Sequence, residues 1–211
     1  MEGLSRVRER IATACARAGR PADSVRLIAV SKTQPLEKLR AAVQAGQRLF
    51  GENYAQELRE KADALGPLVT WHFIGALQSN KARLVVGRAA LIHTCDRISL
   101  AREISKRALA EQPVLVEVNV GREPQKAGAL PEDVPALVDQ LRALARLRCD
   151  GLMCIPPAAG DPRPHFAALR ELAARLGLSE LSMGMSADFE TAIEEGATLV
   201  RVGTAIFGER P

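Results

Sequence analysis

Along the chain, short β-branched and apolar runs alternate with longer stretches whose apolar positions recur at helical spacing, at intervals of about 25 residues. The short runs are Arg26 to Ser31, Arg48 to Gly51, Thr70 to Ile74, Leu91 to Thr94, Val114 to Val120, Gly151 to Ile155, Leu181 to Met183 and Leu199 to Ile206. Each has the length of a strand, and no linker or low-complexity stretch interrupts the series. The pattern predicts a chain of βα units.

The intervening stretches carry helix punctuation of their own. Thr33-Gln34-Pro35 opens one in which Leu36, Leu39 and Val43 share a face, and Gly46 stands where a left-handed C-terminal turn is wanted. Asp96 is the expected N-cap of a helix carrying Ile98, Ala101, Ile104 and Ala108. Pro131-Glu132-Asp133 opens a stripe of Val134, Leu137, Val138, Leu141 and Leu144. Asp161-Pro162 and Gly177 bracket the next helix, and Ser186 is the expected cap of a short last one that ends at Gly196, with Phe189 and Ile193 inward.

Eight parallel strands with crossover helices on one side are satisfied by a closed (β/α)8 TIM barrel, which leaves no sheet edge to protect. An open doubly wound sheet is the alternative. A helix over Leu4 to Ala18 precedes the first strand, and little chain follows the last. That N-terminal helix is expected to take the place of a helix after strand eight. The class is α/β, read as a single domain over residues 1–211.

Composition narrows the function classes. A hydrophobic content of 47% excludes a disordered or collagenous chain. Lys and Arg total 29 against 25 Asp and Glu, a formal +4 spread along the helices without a dense basic block. Aromatics are only 3% of the chain, so the stacking platforms of RNA readers are missing and nucleic acid is not expected as a partner. A small anion accounts for the surplus more economically. No apolar run approaches the roughly 18 residues of a membrane span, and no targeting segment is apparent, so a cytoplasmic location is expected. Cys15, Cys95, Cys149 and Cys154 match no zinc or CxxC spacing and are read as reduced, mostly buried thiols.

In a barrel of this kind, polar groups at the C-terminal strand ends converge on one mouth. Lys32 closes the otherwise apolar strand Leu27-Ile28-Ala29-Val30. It is either a solvated loop lysine or an amine turned inward, and an inward amine near other cations, Arg201 or Lys126, loses its proton readily and attacks aldehydes. Ser186, at a helix start after strand seven, faces Gly203-Thr204 at the end of strand eight. Free N–H groups, two hydroxyls and a glycine that admits close approach favour a phosphate there. Asp188 is discordant unless it turns away. Arg201, between Val200 and Val202, reads as buried and needs an acceptor, either a structural carboxylate or an unprotonated ring nitrogen of a ligand. Gly75 to Lys81 lacks the second glycine and the Ser/Thr of a P-loop, and His72, His93 and Cys95 lack metal spacing, so no metal is expected.

Several longer blocks, Ala29-Val30-Ser31-Lys32-Thr33, Phe50-Gly51-Glu52-Asn53-Tyr54, Trp71-His72-Phe73-Ile74-Gly75, Leu77-Gln78-Ser79-Asn80-Lys81, Leu181 to Ser186 and Val200 to Gly208, resemble the pyridoxal phosphate homeostasis proteins along the whole chain. The resemblance implies a barrel related to the N-terminal domain of alanine racemase, the fold-type III arrangement for pyridoxal 5′-phosphate (PLP). It implies Lys32 as the Schiff-base lysine, Ser186, Gly203 and Thr204 around the phosphate, Arg201 at the pyridine nitrogen, and Asn53 and His72 beside the ring. Ala76 stands where many relatives have proline, and the tail after Gly208 is short. The implied role is a monomeric carrier that stores PLP or delivers it to PLP-dependent apoenzymes. A PLP-dependent amino-acid racemase using Tyr54, Cys95 or Cys154 opposite Lys32 is the alternative, and a Schiff-base aldolase is a more distant one.

Overall fold

The computed structural model describes residues 1–209. Helix α1 (Glu2–Arg17) precedes strand β1 (Arg26–Val30), and the chain then alternates α2 (Leu36–Gln44), β2 (Leu49–Glu52), α3 (Ala55–Leu65), β3 (Thr70–Phe73), α4 (Ala82–Val85), β4 (Leu91–Cys95) and α5 (Ile98–Arg107). It continues through β5 (Gln112–Val118), α6 (Val134–Arg142), β6 (Leu147–Cys154), α7 (Arg163–Arg175), β7 (Glu180–Ser182), α8 (Phe189–Glu194), β8 (Leu199–Val202) and α9 (Thr204–Phe207). All neighbouring strands are parallel, and β1 pairs with both β2 and β8, so the sheet closes in chain order. The closed (β/α)8 barrel is the architecture the periodicity predicts, not the open sheet.

Alternation along each strand divides the apolar residues into two layers. Ile28, Leu91, Leu115, Met153 and Leu199 fill the barrel interior. A larger layer between strands and helices takes their neighbours, including Ala29, Phe50, Ile92 and Val200, against Leu39, Leu58, Ile104, Phe166 and Phe189. Gly51 points inward where a Cβ would sit 2.7 Å from Ile28 and 3.0 Å from Ile74, so its lack of a side chain makes room for both.

The structure corrects the predicted end of the chain. Strand eight does not run to Ile206. It stops at Val202, and the amides of Ile206 and Phe207 both donate to Gly203 O, winding one helical turn as α9. Helix α1 packs on α8 and α9, as expected of a helix that covers the end of the barrel cycle. A Cβ on Gly3 would lie 2.6 Å from Ala205 O, so glycine permits that approach. Arg10 clasps Glu190 with two hydrogen bonds of 2.9 and 2.8 Å while stacking over the Phe189 ring. Arg20 donates to Ile193 O and Ala197 O at the carboxyl end of α8.

One predicted cap and one strand start also move. Arg97, not Asp96, occupies the N-cap of α5, and the Asp96 carboxylate pairs with the Arg97 guanidinium at 2.6 Å. Strand β6 begins four residues before the apolar run at Gly151, because its first half faces the opposite mouth, where Arg148 pairs with Asp150 and Glu111. Gly151 is the tightest point of the β6–β7 ladder, since a Cβ there would meet Glu180 O at 1.9 Å. Gly151→Ala is expected to cost about 1–3 kcal/mol through overpacking, read as a lowered urea midpoint with an unchanged slope.

Candidate functional site

The C-terminal ends of the strands form a cavity of about 320 Å³ lined by Val30, Lys32, Asn53, Ile74, Ile155, Met185, Ser186, Ala187, Arg201, Gly203 and Thr204. Six of the seven residues singled out from the sequence meet there. A larger hollow of about 420 Å³ lies at the opposite mouth beside Arg8, Gln47 and Arg48, and none of the seven lines it.

Lys32 is placed by a turn held from behind. The backbone reverses after β1 with Gln34 N–H donating to Ser31 O, and Thr33 takes a left-handed φ of 62° that costs a side-chain-bearing residue strain. That conformation turns the Thr33 N–H onto Glu57 Oε2 at 2.9 Å. Lys61 Nζ donates at 2.7 Å each to Ser31 O, Glu52 Oε1 and Glu57 Oε2, and Ser31 Oγ also donates to Glu52 Oε1. Burial pushes the Glu52 carboxyl above the ordinary range, while Lys61 and Ser31 pull it back. This network was not singled out from the sequence. Its signal is the position of Lys61 between Leu58, Ala62 and Leu65, on the inward face of a helix where a lysine needs a partner.

The opposite wall is built of main chain. None of the backbone hydrogen bonds among the described residues uses the N–H of Ser186, Ala187, Gly203 or Thr204. Gly203 packs so closely on β1 that a Cβ would lie 3.2 Å from Val30 O and 3.3 Å from Val30 Cβ. Ser186 does not cap α8 as expected. Asp188 holds the N-cap position, and its Oδ1 accepts from Met185 N–H at 2.6 Å. The carboxylate that was discordant at a phosphate site is therefore engaged within its own turn, and the Ser186 hydroxyl stays with the cavity.

Arg201 is 4% exposed and enters no ion pair among the described residues. Its guanidinium donates to Ser182 Oγ at 2.6 Å and Cys154 O at 2.9 Å, so the structural-carboxylate alternative does not hold for it. Behind Ser182 the chain of contacts continues to His93 Nδ1 at 2.8 Å, and from His93 Nε2 to His72 Nδ1 at 2.9 Å. Arginine can only donate, so the Ser182 hydroxyl accepts from it. Its own proton is then satisfied only by donation to His93 Nδ1, which leaves the His93 proton on Nε2, donated to His72. Burial and the Arg26 charge lower the His72 pKa to about 3, and burial lowers that of His93 well below its ordinary value. His72 thus lies in the barrel interior, outside the cavity lining, and supports Arg201 through two intermediaries. Lys126 does not share the Lys32 cavity either, and its amine donates to Pro156 O and pairs with Glu123.

These residues fit the cofactor that the sequence resemblance implies. A primary amine, N–H donors that no backbone hydrogen bond uses among the described residues, two hydroxyls beside them, and a buried guanidinium that pairs with no carboxylate among those residues border one space. They match the aldehyde, phosphate and ring nitrogen of a pyridoxal phosphate. Among the described residues no group of three or more metal-ligating side chains occurs, and no helix is long and apolar enough to cross a membrane.

Comparison with known proteins agrees with the fold and with the motif blocks. The family described as alanine racemase, N-terminal domain, matches residues 3–211. A pyridoxal phosphate homeostasis protein of Aquifex aeolicus is 49% identical over 99% of this chain and 97% of its own. The structure of PipY from Synechococcus elongatus with PLP bound superposes with a TM-score of 0.83 at 40% identity, covering 96% of this chain and 100% of that one. The alanine racemase of Corynebacterium glutamicum, at 17% identity and a TM-score of 0.72, shares the fold over 99% of this chain but only 62% of its own.

Two measurements check the site's construction. Lys61→Met strips Glu52 of its partner in the interior and is expected to cost about 3–5 kcal/mol in urea unfolding. The ring resonances of His72 and His93 are expected to stay those of neutral imidazoles from pH 8 to 5 in nitrogen-15 NMR, with His93 protonated at Nε2. Because both folded pKa values lie below the unfolded one, the unfolded chain binds more protons as pH falls below about 6.5, and each histidine then withdraws up to ~1.4 kcal/mol of stability per pH unit. Glu117, whose carboxyl is raised to about 7, acts in the opposite direction over the same interval.

Proposed function

The chain belongs to the pyridoxal phosphate homeostasis proteins, and from that premise we propose that it binds pyridoxal 5′-phosphate reversibly through Lys32 and stores or delivers the cofactor without turning over a substrate. The observation that carries the reading is the buried Arg201 guanidinium, paired with no carboxylate among the described residues, in the same cavity as Lys32 and the donors of Ser186, Gly203 and Thr204. Bound there, the cofactor supplies an aldehyde that an amine can attack and a ring nitrogen that accepts a hydrogen bond. The action of residues 1–211 as one binding domain, in the cytoplasm, as a monomer, and with PLP-dependent apoenzymes as recipients, belongs to the same proposal.

Each side chain has a distinct part. Lys32 is presented by a turn whose carbonyl and amide are fixed by Lys61 and Glu57, so its amine reaches the cavity from a rigid base. The N–H groups of Ser186, Gly203 and Thr204, which donate to no backbone carbonyl among the described residues and border the cavity, would hold a phosphate without a cation. Arg201 would donate to the ring nitrogen of a bound cofactor and keep it unprotonated, which would weaken the ring as an electron sink. The fixed direction of the Ser182, His93 and His72 hydrogen bonds keeps the guanidinium oriented for that task. Asn53 borders the ring's place.

Racemisation needs acid and base groups on both faces of the substrate carbon. Tyr54 is 55% exposed and lies outside the cavity lining. Burial pushes the thiols of Cys95 and Cys154 up to about 12, so neither is available as a thiolate near neutral pH. These placements favour the carrier over the racemase.

Borohydride reduction of the protein loaded with PLP, followed by peptide mass analysis, is expected to place the pyridoxyl group on Lys32, and Lys32→Ala to abolish the yellow absorption. Ser186→Ala and Thr204→Val should each weaken PLP binding on the order of ten-fold, the worth of a hydrogen bond to a charged group. Lys32-dependent incorporation of deuterium at the α-carbon of amino acids in heavy water would establish the racemase instead.

A further inference from the structure

A second cavity of about 260 Å³ adjoins the first, sharing Asn53, Ile74 and Ile155 with it, and reaches down to Glu117 on β5. Most polar groups around it are already satisfied. Thr94 Oγ1 donates to Gly75 O at 2.6 Å, and Asn119 exchanges two hydrogen bonds with the Glu123 backbone. Lys126 donates to Pro156 O at 3.0 Å. Two acceptors are left over. The Glu117 side chain, in a residue 8% exposed, enters no hydrogen bond or ion pair among the described residues. Asn53 Oδ1 is buried without a donor.

A buried carboxyl is costly unless something donates to it. The deficit here is of donors alone, which excludes an anion, and the described residues around the space supply no metal-ligand cluster. Resting on the reading of the neighbouring cavity as the PLP site, we propose that this second cavity binds the primary ammonium group of an incoming amine, with Glu117 and Asn53 Oδ1 as its acceptors, and that Glu117 takes its proton so that the amine displaces Lys32 from the cofactor. The ammonium R–NH3+ passes one proton to the Glu117 carboxylate and becomes R–NH2. The C=N bond from the aldehyde-derived carbon to the Lys32 nitrogen is exchanged for one to the incoming nitrogen, whose two remaining protons pass to the Lys32 nitrogen together with the one held by Glu117, so R–NH3+ and the Lys32 Schiff base become the Schiff base of R and Lys32–NH3+. No oxidant or further reactant is needed. Burial and the Asp96 charge, opposed by Arg201, raise the Glu117 carboxyl to about 7, which suits a group that accepts and returns a proton near neutrality. Release of the cofactor is thereby coupled to the arrival of an amine.

The source of the amine is either a free amino acid or a lysine side chain of another protein. Both are tested on the PLP-loaded protein by following loss of the Lys32-bound absorption against concentration of L-alanine or of Nα-acetyl-lysine amide, with hydroxylamine as an uncharged control. The rate is expected to saturate with at least one of the two amines, and the one that saturates identifies the source. Glu117→Gln should raise the half-saturating concentration or lower the limiting rate on the order of ten-fold, Glu117→Asp should recover part of the loss, and the hydroxylamine rate should stay within about two-fold of the parent rate. In the protein free of PLP, broadening of the ethylammonium proton NMR lines should be lost in Glu117→Gln. Equal amine kinetics in parent and Glu117→Gln, or an equal slowing with hydroxylamine, overturns the proposal. Failure of the parent protein to take up PLP overturns the carrier reading instead.

Discussion

The pairing of β1 with β8 is the constraint on which the rest of this molecule depends. Ile28 stands opposite Arg201, and Ala29 opposite Val202, so the first and last strands end side by side. Residues separated by most of the chain, Lys32 on one strand end and Gly203-Thr204 on the other, become neighbours only because the sheet closes. Closure also removes the sheet edges and confines Arg201 to an interior in which a guanidinium is tolerated only with its donors engaged. Helix α1 secures the seam, since its contacts fall on α8 and α9, the helices that flank β8.

Two buried polar systems flank the site, and they act differently. The Glu52, Lys61 and Glu57 group is an ion network in which two carboxylates share one ammonium, and it fixes the backbone on both sides of Lys32. The Arg201, Ser182, His93 and His72 chain is a line of directed hydrogen bonds ending in neutral imidazoles. The first makes the turn at Lys32 rigid. The second orients one cation without adding an anion that would compete with a ligand for it. Glu117 belongs to neither, and its isolation is what marks the second cavity as chemically unfinished.

Much of the architecture was legible in the sequence because strand and helix periods are local. The βα alternation, the inward stripe of Val134, Leu137, Val138 and Leu141, and the left-handed turn at Gly46 all reflect spacing within a few residues. The errors arose where a tertiary contact overrides local pattern. Gly203 to Ile206 reads as strand, yet Gly203 breaks the extended run and the turn packs against Gly3. Ser186 reads as a cap, yet Asp188 accepts the amide and takes that position. His72, which the resemblance puts beside the ring, lies inside the barrel with His93 and outside the cavity lining.

Residue order alone therefore determined that eight strand segments separated by helices exist, where Lys32 and Arg201 fall at their ends, and which family the motif blocks resemble, because period and motif are properties of neighbouring residues. Only the tertiary structure decided that Arg201 pairs with no carboxylate among the described residues, that Lys61 braces the Lys32 turn, and that Glu117 opens onto a cavity of its own. A partner, or the want of one, is settled by segments far apart in the chain, and burial makes that difference energetically decisive.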